Sequence, residues 1–99
     1  MDKIEQQNQE EIDREILSYV RGMQSLAPVV ADSICAYLHR RAHRNCTPMQ
    51  VRDRIAYLVS AGCLDEKKEW DGGEVIRYEI TAKGMDLMDG KIPPLNWKP

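Results

Sequence analysis

No apolar run in this sequence approaches the roughly 20 residues that a helix needs to cross a bilayer, so no transmembrane segment is expected. The three cysteines are odd in number and lack close CxxC spacing, which argues against a disulfide framework and for reduced thiols. Also missing are a glycine-rich phosphate loop, a GxSxG elbow, and paired carboxylates whose surroundings would plainly move a pKa. Asp32, Ser33 and His39 have no spacing that supports a catalytic triad, and a chain this short rarely encloses a catalytic pocket by itself, so no enzyme activity and no cofactor are expected. The N-terminal stretch MDKIEQQNQEEIDRE is polar and acidic, unlike a signal or transit peptide, and points to a cytosolic home. No internal repeat or long low-complexity segment appears. What is present fits one ordinary globular domain: 99 residues, 42% hydrophobic and 30% charged, enough to bury about 65% of the unfolded surface.

An overall positive charge is absent as well, the formal net charge being -2. Its distribution says more than its sum. Asp2, Glu5, Glu10, Glu11, Asp13 and Glu15 face only Lys3 and Arg14 in the first fifteen residues, whereas Arg40, Arg41, Arg44, Arg52 and Arg54 face only Asp53 in residues 39–54. A local basic cluster is the footprint that phosphate contact requires, whatever the overall sign.

The stretch Thr47 to Leu64 carries the most information. Thr47 can cap a helix, Pro48 suits its first turn, and Gln50 stands three residues after the cap, completing a capping box. Val51, Ile55, Leu58 and Val59 then recur at helical spacing, and Gly62 can turn the chain out. The opposite side presents Met49, Gln50, Arg52, Asp53, Ala56 and Ser60, with Arg54 and Tyr57 on the flanks. Arginine and glutamine near a helix N-terminus can make bidentate bonds to base edges, although a solvated polar face is the commoner use of such a side.

Elsewhere, Ile12, Ile16, Tyr19, Val20 and Met23 predict a helix over about Glu10 to Arg21, preceded by a polar arm, residues 1–9. A second helix is expected from Pro28, with Val30, Ala31, Ile34, Cys35, Leu38 and Ala42 as its apolar side, decaying into the polar turn HRRAHRN. After Leu64 the period changes to two short strands around Asp71-Gly72-Gly73-Glu74, a hairpin whose turn centre is either Asp71-Gly72 or Gly72-Gly73. Thr81 caps a short closing helix that ends at Gly90, and residues 91–99 form a proline-rich tail.

Helix, helix, helix, hairpin, helix is the order of a winged-helix domain. The segment VRDRIAYLVSAGCLDEKKEW, followed by YEITAKGMDLM, resembles the third helix, wing and closing helix of winged-helix regulators of the PadR and MarR kind and of small phage or prophage winged-helix proteins. The turn Ala61-Gly62-Cys63-Leu64 and the return Tyr78, Ile80, Thr81, Gly84 carry the likeness, over residues 10–90. It implies an α+β, mainly helical fold: a three-helix bundle with a C-terminal two-stranded β-hairpin wing and a short closing helix. It also implies double-stranded DNA as partner, with Thr47, Met49, Gln50, Arg52, Asp53 and Ala56 toward bases, Arg54 on the flank, and Arg40, Arg41 and Arg44 toward phosphates. Lys67 and Lys68 are the wing's candidates for DNA contact. A homodimer is expected, since one recognition helix rarely gives enough affinity, with the arm before Ile12 and the tail after Gly90 as dimer elements.

One feature departs from that pattern. The wing holds Asp65, Glu66, Glu69, Asp71, Glu74 and Glu79 against Lys67, Lys68 and Arg77, which suits phosphates poorly. The alternative function is therefore a winged-helix protein-interaction module without DNA binding, using the wing, Trp70 and Trp97. Trp70 either packs over the core edge or stands exposed as a contact aromatic. Cys35, His39, His43 and Cys46 offer zinc-ligand types, but the helical span from Cys35 to His43, roughly 12 Å, is too long for one tetrahedral ion, so no metal is expected. Cys35 is expected in the core and Cys63 buried at the wing junction.

Overall fold

A computed structural model describes residues 3–41, 47–70 and 72–93. Its elements are α1 Lys3–Met23, α2 Ala31–Arg40, α3 Pro48–Ser60, strands β1 Leu64–Trp70 and β2 Glu74–Ile80, and α4 Ala82–Met88. The two strands pair antiparallel, and the fold is the expected α+β one, mainly helical.

Helix α1 contributes Ile12, Ile16, Leu17 and Val20 to the core. It reaches back to Lys3, beyond the Glu10 start that the apolar period marks. Glutamine and glutamate are good helix formers and nothing in that stretch breaks a helix, so propensity carries the helix past the apolar period.

Helix α2 begins at Ala31 and not at Pro28, because the preceding segment is bonded to the wing. The Tyr78 amide donates to the Val29 carbonyl at 2.8 Å, and the Ile80 amide donates to the Gln24 side-chain oxygen at 2.8 Å. Residues 24–29 thereby occupy backbone positions on β2 that would otherwise be an open edge. Val30 stays extended, at φ −115°, and its amide donates to Ser33 Oγ at 3.3 Å. Ile34 and Leu38 of α2 are fully buried, and Cys35 packs half-buried beside them.

The start of α3 follows its sequence signal closely. Thr47 Oγ1 accepts from the Gln50 amide at 3.1 Å, and Gln50 Oε1 accepts from the Thr47 amide at 2.8 Å, so two amides without intrahelical partners are satisfied reciprocally. Val51, Ile55 and Leu58 are buried against α1 and α2, with Val59 packed at their margin.

The far end of α3 is clamped by α4. The carbonyls of Ala61, Gly62 and Cys63 accept from Lys83 Nζ at 2.7 Å, Thr81 Oγ1 at 2.6 Å and the Thr81 amide at 3.1 Å respectively. Thr81 Oγ1 also accepts from the Gly84 amide at 3.0 Å, capping α4. Gly62 makes the turn at φ +82°, a conformation that L side chains rarely adopt. Gly84 answers a different need: a Cβ there would overlap the Cys63 carbonyl oxygen and come within 2.8 Å of Ile80 Cγ1. The glycine lets two backbones approach.

In the wing, Leu64 pairs with Ile80 and Trp70 with Glu74, so three residues connect the strands, and the turn centre rests on Asp71, outside the described residues. Gly72 takes the positive φ, +72°. Leu64, Tyr78 and Ile80 turn inward to the core, and Cys63 is buried at the junction as expected.

Candidate nucleic-acid interface

Because Val51, Ile55 and Leu58 bury one side of α3, its remaining positions are forced outward at helical spacing. Met49, Gln50, Arg52, Asp53, Ala56 and Ser60 are all exposed, Met49 at 72%. Thr47 stands exposed at the cap with its hydroxyl committed to the Gln50 amide. The Gln50 side-chain oxygen is likewise committed to the cap, which leaves its NH₂ group for any outside acceptor.

Arg54 is a correction. It was expected on the flank of the outward side, and it lies inside, 5% exposed, where Nε reaches Asp13 Oδ1 at 2.9 Å and Nη2 reaches Asp13 Oδ2 at 2.7 Å. Its guanidinium carbon stands 4.5 Å from the centre of the Tyr57 ring. Asp13, counted from the sequence only among the acids of the first helix, is itself 5% exposed. Burial pushes its carboxyl above 3.8, while the hydrogen bonds and charge of Arg54 pull the other way. The pair is a tie between α1 and α3 and takes Arg54 away from any ligand. The spacing of Asp13 to Leu17 and Val20 already placed it on the buried side of α1.

Arg52 is exposed but engaged: its Nη2 donates to Asp32 Oδ1, in the first turn of α2, at 2.5 Å. Arg41 leans toward α1, with Nε 3.9 Å from Glu15 Oε2 and its cation 5.6 Å from the centre of the Tyr37 ring. Tyr37 in turn stacks on Tyr19 at 4.5 Å and donates its hydroxyl to Glu15. Arg40 is exposed, with Nε 3.3 Å from the Ala36 carbonyl. Arg44, His43 and Cys46 lie outside the described residues, as do Asp71, Leu95 and Trp97. Among the described residues, then, the arginines do not form one continuous positive face; Asp53 interrupts it, Asp32 answers Arg52, and Arg54 is inside.

The wing is neutralised from within. Lys67 meets Glu79 at 2.7 Å, Lys68 meets Glu74 at 3.6 Å, and Arg77 meets Glu69 at 3.0 Å. The Lys67 hydrogen bond holds the Glu79 carboxyl below its ordinary value. Such exposed pairs contribute only about 0–1 kcal/mol each, so a stronger anion could displace them. Trp70, of its two placements, takes the exposed one, at 82%. The thiols of Cys35 and Cys63 are both pushed up by burial. A cavity of about 400 Å³ lies between α1 and the end of α4, lined by Glu10, Arg14, Leu87 and Lys91 among others, none of them from α3. No described helix is long and apolar enough to cross a membrane.

A three-helix bundle whose third helix runs into a hairpin wing and is locked by a short closing helix is a winged-helix domain. The chain superposes on a PadR family transcription regulator from Clostridium difficile with a TM-score of 0.67, at 17% sequence identity and over 81% of each chain. The fold is thus winged-helix of the PadR type. No family profile matches the sequence, and no curated protein matches it.

Proposed function

We propose that this chain binds double-stranded DNA sequence-specifically as a small transcription regulator, with α3 in the major groove. One observation carries the reading: the polar side of α3, from Met49 to Ala56, is left uncovered by the described residues while its other side builds the core. The structural neighbour is itself a transcription regulator, which supports the same class. In this reading the free N–H groups of Arg52 and the Gln50 amide address base edges, and Met49 and Ala56 offer apolar contact to thymine methyls. Thr47 and Asp53 flank them. Arg40, Arg41 and Arg44 contact phosphates, and Lys67 and Lys68 do so only by exchanging their carboxylate partners for the DNA backbone. Two copies acting on paired half-sites supply the affinity that one helix lacks.

Duplex binding is therefore expected to weaken steeply with salt. Arg40→Ala should lower the slope of log affinity against log salt by about one, across all sequences. Arg52→Ala should relax preference at one base pair by about 1–3 kcal/mol, leaving the slope less affected. Selection from a random duplex pool followed by salt-titrated binding measures both. Salt-insensitive binding, or none at low salt, rejects the proposal. The internally paired wing and the exposed Trp70 favour a second reading, a protein-contact module; it predicts no duplex binding at about 50 mM salt and a stoichiometric complex with a protein partner.

A further inference from the structure

We infer that Asp32 is a specificity-determining positioning residue, which holds the Arg52 guanidinium in one orientation for reading a guanine edge. The inference rests on the DNA-binding reading above and names what α3 would read. Arg52 stands on the flank of α3 nearest α2, where a four-bond side chain would otherwise sample many rotamers. Asp32 Oδ1 fixes one end of it, at 2.5 Å from Nη2. Among the described residues Arg52 forms no other hydrogen bond with a side chain or backbone group, so of its five N–H donors the Nε and Nη1 hydrogens and one on Nη2 stay available. A fork of two parallel donors is what the O6 and N7 acceptors of guanine require in the major groove, and no other base offers two acceptors there.

Nothing in the fold needs this contact. Both side chains are largely exposed, Asp32 at 84%, and an exposed pair of this kind contributes little to stability. Two consequences follow from placing a carboxylate there. Arg52 has already given up rotamer freedom before it meets DNA, so less is lost when it engages a base. A negative charge beside the groove-facing side also disfavours loose phosphate contact, which lowers binding to sequences without the guanine more than to those with it. Asp32 thus trades overall affinity for discrimination.

The test uses the full chain and a duplex selected from a random pool, with the base pair addressed by Arg52 located from the position at which Arg52→Ala loses preference. Affinities are compared for that duplex and for one with A·T in place of G·C at the same position. Asp32→Asn is expected to tighten binding to random duplex several-fold and to cut the G·C preference about tenfold, while Asp32→Glu, which keeps the charge and can still reach, restores most of it. In an Arg52→Ala background, Asp32→Asn should leave discrimination unchanged, as expected of a residue that acts through Arg52. Thermal melting of each variant should match the parent and exclude loss of fold. Full preference retained by Asp32→Asn overturns the inference while leaving DNA binding intact. Failure of the parent protein to bind any duplex rejects both.

Discussion

Gly84→Ala is expected to be among the most damaging single-methyl changes the protein can suffer. The added carbon would overlap the Cys63 carbonyl oxygen, a backbone atom that already accepts from the Thr81 amide, and would press on Ile80 Cγ1 at 2.8 Å. Neither neighbour is the loose end of a side chain, so α4 has to move off the end of α3 and give up the bonds that Thr81 and Lys83 make to the carbonyls of Ala61, Gly62 and Cys63. Overpacking of this kind costs about 1–3 kcal/mol and more where backbone must shift. We expect about 3 kcal/mol or more, which for a domain of this size lowers Tm by over 10 °C, since each kcal/mol is worth roughly 4–8 °C. Alanine is otherwise the better helix former, so a variant as stable as the parent would show that the close approach of α4 is misplaced. Calorimetry or urea unfolding reads the difference.

Arg54→Met should cost as much or more. It removes the cation bonded to the buried Asp13 carboxylate, and breaking a buried pair from one side costs about 3–5 kcal/mol. The sign of its pH dependence follows from the same geometry. Burial already raises Asp13 above 3.8, and without Arg54 nothing of comparable strength opposes it. Between the unfolded and the folded pKa the native state then holds more protons than the unfolded one, so stability rises as pH falls through that window. The deficit in Arg54→Met should therefore be smaller at acidic than at neutral pH. Asp13→Leu combined with Arg54→Met should recover most of the loss, because two apolar groups of similar size need no partner. Urea unfolding of the parent and the two variants at two pH values decides it; equal losses in the single and double variants would show that Arg54 contributes packing alone.

These two sites also show what a sequence can and cannot make visible. The entry to α3 was legible because its signals are local: a hydroxyl, a proline and a glutamine within four residues define their own hydrogen bonds. The hairpin was legible for a similar reason, although a two-residue turn and a three-residue loop share the same glycines, and only the pairing of Trp70 with Glu74 separates them. Arg54 was not legible as a core residue, because its partner lies 41 residues away on another helix, and a helical wheel does not say which flank a neighbouring helix covers. The extended stretch before α2 was hidden likewise: the amides of Tyr78 and Ile80 donate to the Val29 carbonyl and to the Gln24 side-chain oxygen, bonds between distant residues that leave no periodic trace.

For the interface, the consequence is a change of emphasis from charge to geometry. With Arg54 inside and Lys67, Lys68 and Arg52 each facing a carboxylate, α3 and the wing offer few unopposed cations. What it offers instead is a preorganised polar edge, with the Gln50 oxygen fixed by the cap and Arg52 fixed by Asp32. In the proposed reading, sequence preference on such an edge comes from fit in a groove, while the salt-dependent part of the affinity comes from the phosphate contacts of Arg40, Arg41 and Arg44.

Amide chemical-shift mapping of the labelled protein during addition of a selected duplex addresses this most directly. The account predicts that the largest changes fall on Met49 to Asp53 and Ala56, while the amides of α4 and of Ile12 to Val20 in α1 move little. Changes concentrated on α1, α4 or the tip of the wing, with the outward side of α3 unmoved, would contradict it.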